Sequence, residues 1–269
     1  MSLIEVLVSM ALTLALSGTI LSLVGAGQTL ARTQPERADL QQRARVALQV
    51  LGAELRDAGA GIDGAPASGP LNGLFPPIAP SPGGGITVWR AVGGVAQGTL
   101  AIAAAPSATL LTLADSPICA PGQGACGFSA GATVLALAPG GCRAAVRVAS
   151  AVADMLQLAG PAGCALDAGA IAVEGVAHTY FLDPATRQLM RRDESSGSVA
   201  PVLDGVTAFS IVFFSDAEGA AAIAGSSDAD LIHARRVRLT LRLTPSNPLL
   251  RIPDLEMVVD AVPRNLQGG

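Results

Sequence analysis

Two histidines are the only imidazole side chains that could act as a general base in this chain. They are His178, which falls in a predicted strand, and His233, which lies beside a run of arginines. No GxSxG motif precedes a helix, and no Cys–His constellation is evident. A hydrolase is the enzymatic alternative, because catalytic triads are assembled in space rather than in sequence. The sequence favours a protein that is not an enzyme.

A predicted loop at 215–230 contains a group of carboxylates that could bind a cation. Calcium takes six to eight oxygen ligands, and an acidic loop could supply several of them. The loop lacks the D-x-[DN]-x-[DN]-G order of a calcium-binding hand. We therefore expect a solvated polar loop and no cofactor, with calcium as the weaker alternative. The carboxylates are Asp216, Glu218, Asp228 and Asp230.

The four cysteines all fall in the segment 119–164, beside Gly and Pro. An even number of cysteines in an exported chain indicates disulfides. Three pairings are possible, and loop-closure entropy favours the local ones, Cys119–Cys126 and Cys142–Cys164. Zinc is disfavoured because there is no CxxC pair and no histidine nearby.

Composition excludes some partners and restricts the core. The net charge is −4, all 17 basic residues are arginine, and no basic patch with interleaved aromatics is present. Nucleic-acid binding therefore has little support. Aromatic residues make up 3% of the chain, so the core must be built from Val, Leu, Ile and Ala.

The N-terminal segment 1–31 is apolar except for one carboxylate, Glu5. No Lys or Arg precedes Arg32, which argues against a secretory signal peptide. As a helix, Val6–Ala31 would extend about 39 Å, enough to cross a hydrocarbon layer of about 30 Å. A carboxylate at the bilayer centre costs about 2.5–3.5 kcal/mol, so a function for Glu5 is expected.

The helical pattern continues beyond the membrane-length segment, through residues 32–58. Apolar residues recur at spacings of three and four, and arginine and glutamine occupy the opposite side. Gly59, Gly61 and Pro66 end the pattern. Gly18, Gly25, Gly27 and Pro35 are points where the helix could bend. The predicted buried stripe is Leu40, Ala44, Ala47, Leu48, Leu51 and Leu55.

Residues 2–10, SLIEVLVSM, resemble the class III signal region of type IV pilins and type II secretion pseudopilins. The resemblance implies that a prepilin peptidase processes the chain and that Met1 is the N-methylated N-terminal residue. It also implies that the Glu5 carboxylate pairs with the Met1 α-amino group of a neighbouring subunit. Buried charges are tolerated when they are paired, and methylation keeps the positive charge of the amine.

The rest of the chain is divided into three parts. Residues 59–85 are a Gly/Pro-rich connector, residues 86–170 are a β-rich region that contains the cysteines, and residues 171–269 form an antiparallel sheet head. Trp89 is expected in the core. The predicted strands are Ile86–Val92, Thr99–Ala103, Thr109–Leu113, Thr133–Leu137, Ala144–Val148, Met155–Leu158, Ile171–Leu182, Gln188–Arg192, Val206–Phe214, Ala234–Thr244 and Leu255–Val262.

The predicted strand Ala234–Thr244 alternates between apolar and polar residues. Its apolar side is expected to be buried, and its arginines could pair with neighbouring subunits, hold the acidic loop, or form a solvated strand face. The solvated face is favoured. These arginines are Arg235, Arg236, Arg238 and Arg242.

The order of elements predicts an α+β fold of type IV pilin-like form, with a long N-terminal helix packed on an antiparallel β-sheet head that carries a β-rich insertion. The helix end at 41–59 and the hairpin at 179–192 resemble minor pilins of the PilW type, and the sheet is also similar to the J-type minor pseudopilin. The resemblance implies a filament subunit that starts in the bacterial inner membrane, with its head in the periplasm, and joins a pilus with roles in initiation, adhesion or DNA uptake. The alternatives are a J-type pseudopilin in protein secretion and a membrane-anchored binding module that never polymerises.

Overall fold

The computed structural model describes residues 2–60, 76–81, 83–92, 96–114, 124–138, 142–215, 222–223, 231 and 234–263. These form one long helix and two antiparallel sheets. The elements are α1 Leu3–Asp57, β1 Ile78–Ser81, β2 Gly85–Ala91, β3 Gln97–Thr99, β4 Leu110–Thr112, β5 Thr133–Leu137, β6 Arg143–Val152, β7 Met155–Leu158, β8 Ile171–Asp183, β9 Gln188–Asp193, β10 Val199–Asp204, β11 Val206–Phe214, β12 Arg236–Leu243 and β13 Leu255–Ala261.

Helix α1 is continuous over 55 residues and passes through Pro35. Its end near Asp57 agrees with the predicted stop, because Gly59 adopts a positive φ that terminates the helix. The whole predicted stripe from Leu40 to Leu55 is buried. The amphipathic half therefore packs on the head as its spacing predicts.

The smaller sheet has three strands in the order β11–β12–β13. Helix α1 packs mainly on β13 and also contacts β12, β10 and β2. The alternating apolar residues of β12, from Val237 to Leu243, are all buried. Their partners on β13 lie on the same face, with Leu241 opposite Met257 and Leu239 opposite Val259. This face meets the buried stripe of the helix.

The larger sheet has ten strands, and β8 is at its centre. The path runs β1–β2–β8–β5–β6–β7–β4, with β3 and β9 also paired to β8 and β10 paired to β9. A strand of 13 residues can pair with four others because different segments of its two edges serve different partners. This long strand joins the two parts of the head.

Two hydrophobic clusters form the core. One lies between α1, the small sheet and strands β2, β8 and β9. The other lies among β3–β7 and the neighbouring loops, and it includes Cys126 and Phe128. The fold is thus the expected α+β arrangement, one long N-terminal helix on a large antiparallel head.

The structure differs from the sequence-based expectations at two places. Strands β1 and β10 are absent from the predicted strands, and both contain proline, which is tolerated in edge strands. The predicted strand Thr99–Ala103 is wrong in position, because β3 covers Gln97–Thr99. Strand β8 pairs with β2, β3 and β5 of the preceding part, and the division of the chain at residue 170 stays a prediction.

Candidate functional site: the exposed half of helix α1 and its junction with the head

The first half of helix α1 projects from the head with its apolar side chains exposed. Leu3 is 81% exposed and Leu23 is 72% exposed. The helix is long and apolar enough to cross a membrane by length and composition, and none of its most apolar window is buried. A surface of this size and apolar character marks an interaction site with protein or lipid.

Five hydroxyl groups in this half have partners within the helix. Each donates to a backbone carbonyl three or four residues earlier, so these five need no water as a partner. An apolar environment can therefore surround these five groups without leaving them unsatisfied. The donors are Ser9, Thr13, Thr19, Thr29 and Thr33.

Glu5 lies in the first turn of α1, where the partial positive charge of the helix N-terminus favours a carboxylate. Its side chain is exposed, and within the described part of the chain it forms no ion pair. Ser2 precedes the helix without a side-chain cap. Met1 lies outside the described residues, so the pairing and N-methylation inferred for it stay predictions.

Two side chains of helix α1, Glu36 and Arg43, form a polar clamp with the head near the N-terminal end of the packed half of the helix. The Glu36 carboxylate accepts hydrogen bonds from the backbone N–H of Ser246 at 2.5 Å and of Asn247 at 3.2 Å. Arg43 donates to the Ser246 hydroxyl at 3.1 Å and to the Asp204 carbonyl at 3.4 Å. These bonds hold the loop after β12 and the end of β10 against the helix.

A second polar contact between helix and head lies near the C-terminal end of helix α1. Nδ1 of His178 on β8 is 3.4 Å from Oε2 of Glu54, and the two side chains are 12% and 16% exposed. Burial acts to raise the pKa of Glu54, but the hydrogen bond with His178 and its charge outweigh this effect, and the pKa is lowered. The pair therefore links helix and sheet through a carboxylate kept in its charged form.

Tyr180 lies two residues from His178, on the same face of β8. Its side chain is fully buried. Burial, reinforced by the nearby Glu54 carboxylate, raises the pKa of Tyr180 to about 12. Tyr180 is therefore neutral at physiological pH and serves as a core residue.

Of the residues singled out as chemical candidates, the structure describes His178. His178 pairs with Glu54, as described above. Among the described residues, no group of three or more His, Cys, Asp and Glu side chains could hold a metal ion. His233 and the calcium candidates Asp216, Glu218, Asp228 and Asp230 lie outside the described residues.

The disulfide expected between Cys142 and Cys164 is present, with a Cα–Cα distance of 5.8 Å. It joins the start of β6 to the loop before β8. Cys126 is also disulfide-bonded, and Cys119 lies outside the described residues. The Cys119–Cys126 pairing therefore stays a prediction.

The arginines of β12 have partners within the chain itself. Arg236 and Arg238 contact Asp260 at 2.6 and 2.8 Å, and Arg242 contacts Glu256 at 2.6 Å. Hydrogen bonding from Arg238, together with the charge of Arg236, lowers the pKa of Asp260. Among the described residues, these three arginines therefore pair across strands with β13, while pairing with other subunits or with the acidic loop stays a prediction. The fourth, Arg235, precedes the strand and its backbone N–H donates to the Phe214 carbonyl.

Arg236 does not lie on a solvated strand face, although the sequence favours such a face for the arginines of this strand. Its side chain is buried, and its guanidinium lies over the ring of Phe214 with 4.3 Å between Cζ and the centroid. Arg238 lies 5.3 Å from the same ring. Strand alternation alone placed Arg236 outside, whereas the neighbouring aromatic ring covers it.

Sequence reasoning missed the junction residues Glu36, Arg43 and Glu54. A signal was available for Glu54, since it lies beside Leu51 and Leu55 of the buried stripe. Its partner His178 is distant in sequence, and only the pairing of β8 with β2 brings it to the helix.

Comparison with solved structures shows a likeness in fold to a pilin. No protein-family profile matches the chain, and no curated protein matches it. A type IV-like pilin from Thermus thermophilus aligns over 84% of this chain and 96% of its own, with 13% identity and a TM-score of 0.37. The fold described above rests on the elements of this chain alone.

Proposed function

We propose that this chain is a structural subunit of a type IV pilus-like filament, most similar in kind to a PilW-type minor pilin. The subunit resides in the inner membrane through the first half of α1, with its head on the periplasmic side. After processing by a prepilin peptidase, it joins other pilin or pseudopilin subunits in a helical filament. Its role in this proposal is structural and not catalytic.

One observation carries the proposal: a single continuous helix has one half clamped to the head and the other half wholly exposed and apolar. The clamped half has the buried stripe and the bonds of Glu36, Arg43 and Glu54. Among the described residues, no part of the head covers Leu3–Leu30. Apolar surface of this extent is stable in lipid or against similar helices, but not in water.

In this proposal, Glu5 sets the position of one subunit's helix relative to the helix of its neighbour in the filament. A carboxylate among apolar helices is costly when it is alone and tolerated when a cation contacts it. The Met1 α-amino group of a neighbouring subunit is the cation that the sequence resemblance implies. Because each group is unfavourable in lipid, their pairing would favour transfer from the membrane into the filament.

The finer assignment rests on sequence resemblance at the end of α1, residues 41–59, and in the hairpin β8–β9. The same features are similar to the J-type minor pseudopilin. The two assignments differ in the filament that the subunit joins, so deletion of the gene distinguishes them. Loss of surface pili supports the minor pilin, and loss of protein secretion with intact pili supports the pseudopilin.

The test of assembly is the variant Glu5→Gln, produced from the native locus. We expect about tenfold less subunit in sheared filaments, because the intersubunit ion pair is lost. Membrane levels of the subunit should be unchanged. The matched control is Asp39→Asn, an exposed carboxylate on the same helix that forms an i,i+4 pair with Arg43.

Unchanged incorporation of Glu5→Gln would contradict the assembly role and favour the non-polymerising membrane anchor. Mass spectrometry of the N-terminal peptide tests processing separately. A methyl group adds about 14 Da to Met1. An unmodified Met1 preceded by further residues in the mature protein would contradict processing at this position.

A further inference from the structure

A polar cleft opens on the face of the ten-stranded sheet that points away from helix α1. Its volume is about 340 Å³, within the usual range of small-molecule sites, about 300–1,000 Å³. Val88 of β2 is paired with His178, which faces the helix. Side chains alternate along a strand, so Thr87 and Trp89 lie on the opposite face and form part of the cleft.

The floor of the cleft begins with a row of three cross-strand neighbours. Thr87 is opposite Thr179 in the β2–β8 pair, and Thr179 is opposite Arg192 in the β8–β9 pair. The two hydroxyl oxygens are 2.6 Å apart. One hydroxyl proton is used between them, and each oxygen has further lone pairs. The row therefore places hydroxyls and a guanidinium side by side.

The next row adds an aromatic ring and a carboxylate. Trp89 is opposite Ala177, and the backbone N–H of Glu194 donates to the Ala177 carbonyl at 3.0 Å. The Glu194 carboxylate accepts from Nε of Arg192 at 2.8 Å. This bond uses one of the five N–H donors of the Arg192 guanidinium, so the others can serve a ligand.

One wall of the cleft carries a second guanidinium. Cζ of Arg143 lies 4.7 Å from the ring centroid of Trp89. Arg143 follows Cys142 directly, and the Cys142–Cys164 disulfide ties it to the loop that contributes Pro161 and Ala162 to the opposite wall. The disulfide therefore holds together the two segments that bound the cleft.

These groups define the chemistry of a ligand. Two guanidiniums bind a carboxylate or another oxyanion well. The Glu194 carboxylate disfavours a ligand that is only an anion, but it can accept hydrogen bonds from hydroxyl groups. The indole of Trp89 is 9% exposed and lies beneath the Arg143 guanidinium, so it holds Arg143 in place at the edge of the cleft. The combination fits a ligand with one carboxylate and several hydroxyls.

We propose that this cleft is a binding site for a sugar acid, in which Arg143 and Arg192 bind the carboxylate and Glu194 accepts from ring hydroxyls. The site lies on the head, away from the apolar half of α1. It is independent of the assembly role, so failure of either proposal leaves the other intact.

The chain contains a single tryptophan, so intrinsic fluorescence reports on the cleft directly. The full chain in mild detergent is titrated with D-galacturonate, with D-galactose and with inorganic phosphate. We expect a saturable change in Trp89 emission with galacturonate, and about tenfold weaker responses to the neutral sugar and to phosphate.

The matched variants are Arg192→Gln and Arg238→Gln. Both arginine side chains are 40% exposed, and each bonds a carboxylate through Nε at 2.8 Å, but Arg238 lies on the other sheet. Arg192→Gln should weaken galacturonate binding about tenfold or more, and Arg238→Gln should leave it unchanged. No saturable response, equal responses to the three probes, or equal weakening by both variants would overturn the proposal.

Discussion

At the scale of single residues, the Glu54–His178 contact is the polar bond that joins helix α1 to the centre of the large sheet. Both side chains are mostly buried, so removing one partner leaves the other without a full hydrogen-bond complement. The same contact lowers the pKa of Glu54. The stability of the junction therefore depends on pH.

The sign of this dependence follows from the direction of the shift. A carboxyl group with a lowered pKa in the folded state contributes stability above its unfolded pKa of 4.5, and this contribution is lost as pH falls through the folded value. We expect Glu54→Gln to cost about 1–3 kcal/mol at pH 6. At pH 3 the cost should be smaller than at pH 6, because protonation of the wild-type carboxyl group removes the charged contact as pH falls through its folded pKa.

Urea unfolding of the full chain in mild detergent, followed by Trp89 fluorescence, measures this difference. Asp183→Asn is a suitable control, since the pKa of Asp183 is also lowered, mainly by its hydrogen bond from Thr186, but it lies in an exposed turn away from the helix. An equal cost of Glu54→Gln at both pH values would contradict the role assigned to the carboxylate.

At the scale of elements, the amphipathic half of helix α1 is held mainly by its buried stripe. Leu51 is 1% exposed and lies in the main hydrophobic cluster. Its neighbour Val50 is 46% exposed on the other side of the helix. Because the two residues are adjacent and both aliphatic, comparing their substitutions by alanine separates the effect of lost packing from the effect of helix propensity.

We expect Leu51→Ala to lower the free energy of unfolding by about 2–5 kcal/mol, through lost apolar burial and the cavity that remains. Val50→Ala should change it by less than about 0.5 kcal/mol. Urea unfolding in mild detergent gives both values. Similar effects of the two substitutions would show that the helix does not pack in the register described.

Two edge strands of the large sheet, β1 and β10, contain proline. Strand β1 contains Pro80 and strand β10 contains Pro201, and β10 has a register shift after Pro201. Proline lacks a backbone N–H, and an irregular edge is a poor template for another strand. These two edges are therefore disfavoured for extension of the sheet by another chain.

At the scale of the whole molecule, the chain consists of a head that is complete from about Leu40 onward and an apolar helical half that adds nothing to the core. The buried residues of α1 run from Leu40 to Leu55. Earlier residues are exposed or half-buried. Folding of the head and association with lipid should therefore be separable.

A variant lacking residues 2–31 tests this separation. Its unfolding free energy should equal that of the full chain within about 0.5 kcal/mol, because no buried contact is removed. Association with phospholipid vesicles should be lost. A variant lacking residues 2–47 also loses Leu40, Ala44 and the Glu36 and Arg43 bonds, and should be less stable by more than about 3 kcal/mol.

Much of the fold could be predicted because local periodicity dictated it. The helix, its buried stripe and its end near Asp57 follow from 3.6-residue spacing and from the glycines after it. Strands such as Thr133–Leu137, Met155–Leu158 and Val206–Phe214 follow from alternation between turn residues. The missed strands β1 and β10 contain prolines, which locally indicate a loop, and only pairing with β2 and β9 makes them strands.

The sequence by itself determined the long helix, most of the strands and the exposed apolar half with Glu5, since these depend on composition and neighbouring residues. Only the tertiary structure decided which distant side chains meet. Glu54 contacts His178, Arg236 is covered by Phe214, and Arg143 stacks on Trp89 to border a cleft. The reason is that strand order and register set these contacts across up to 124 residues of chain, and no local pattern encodes that order.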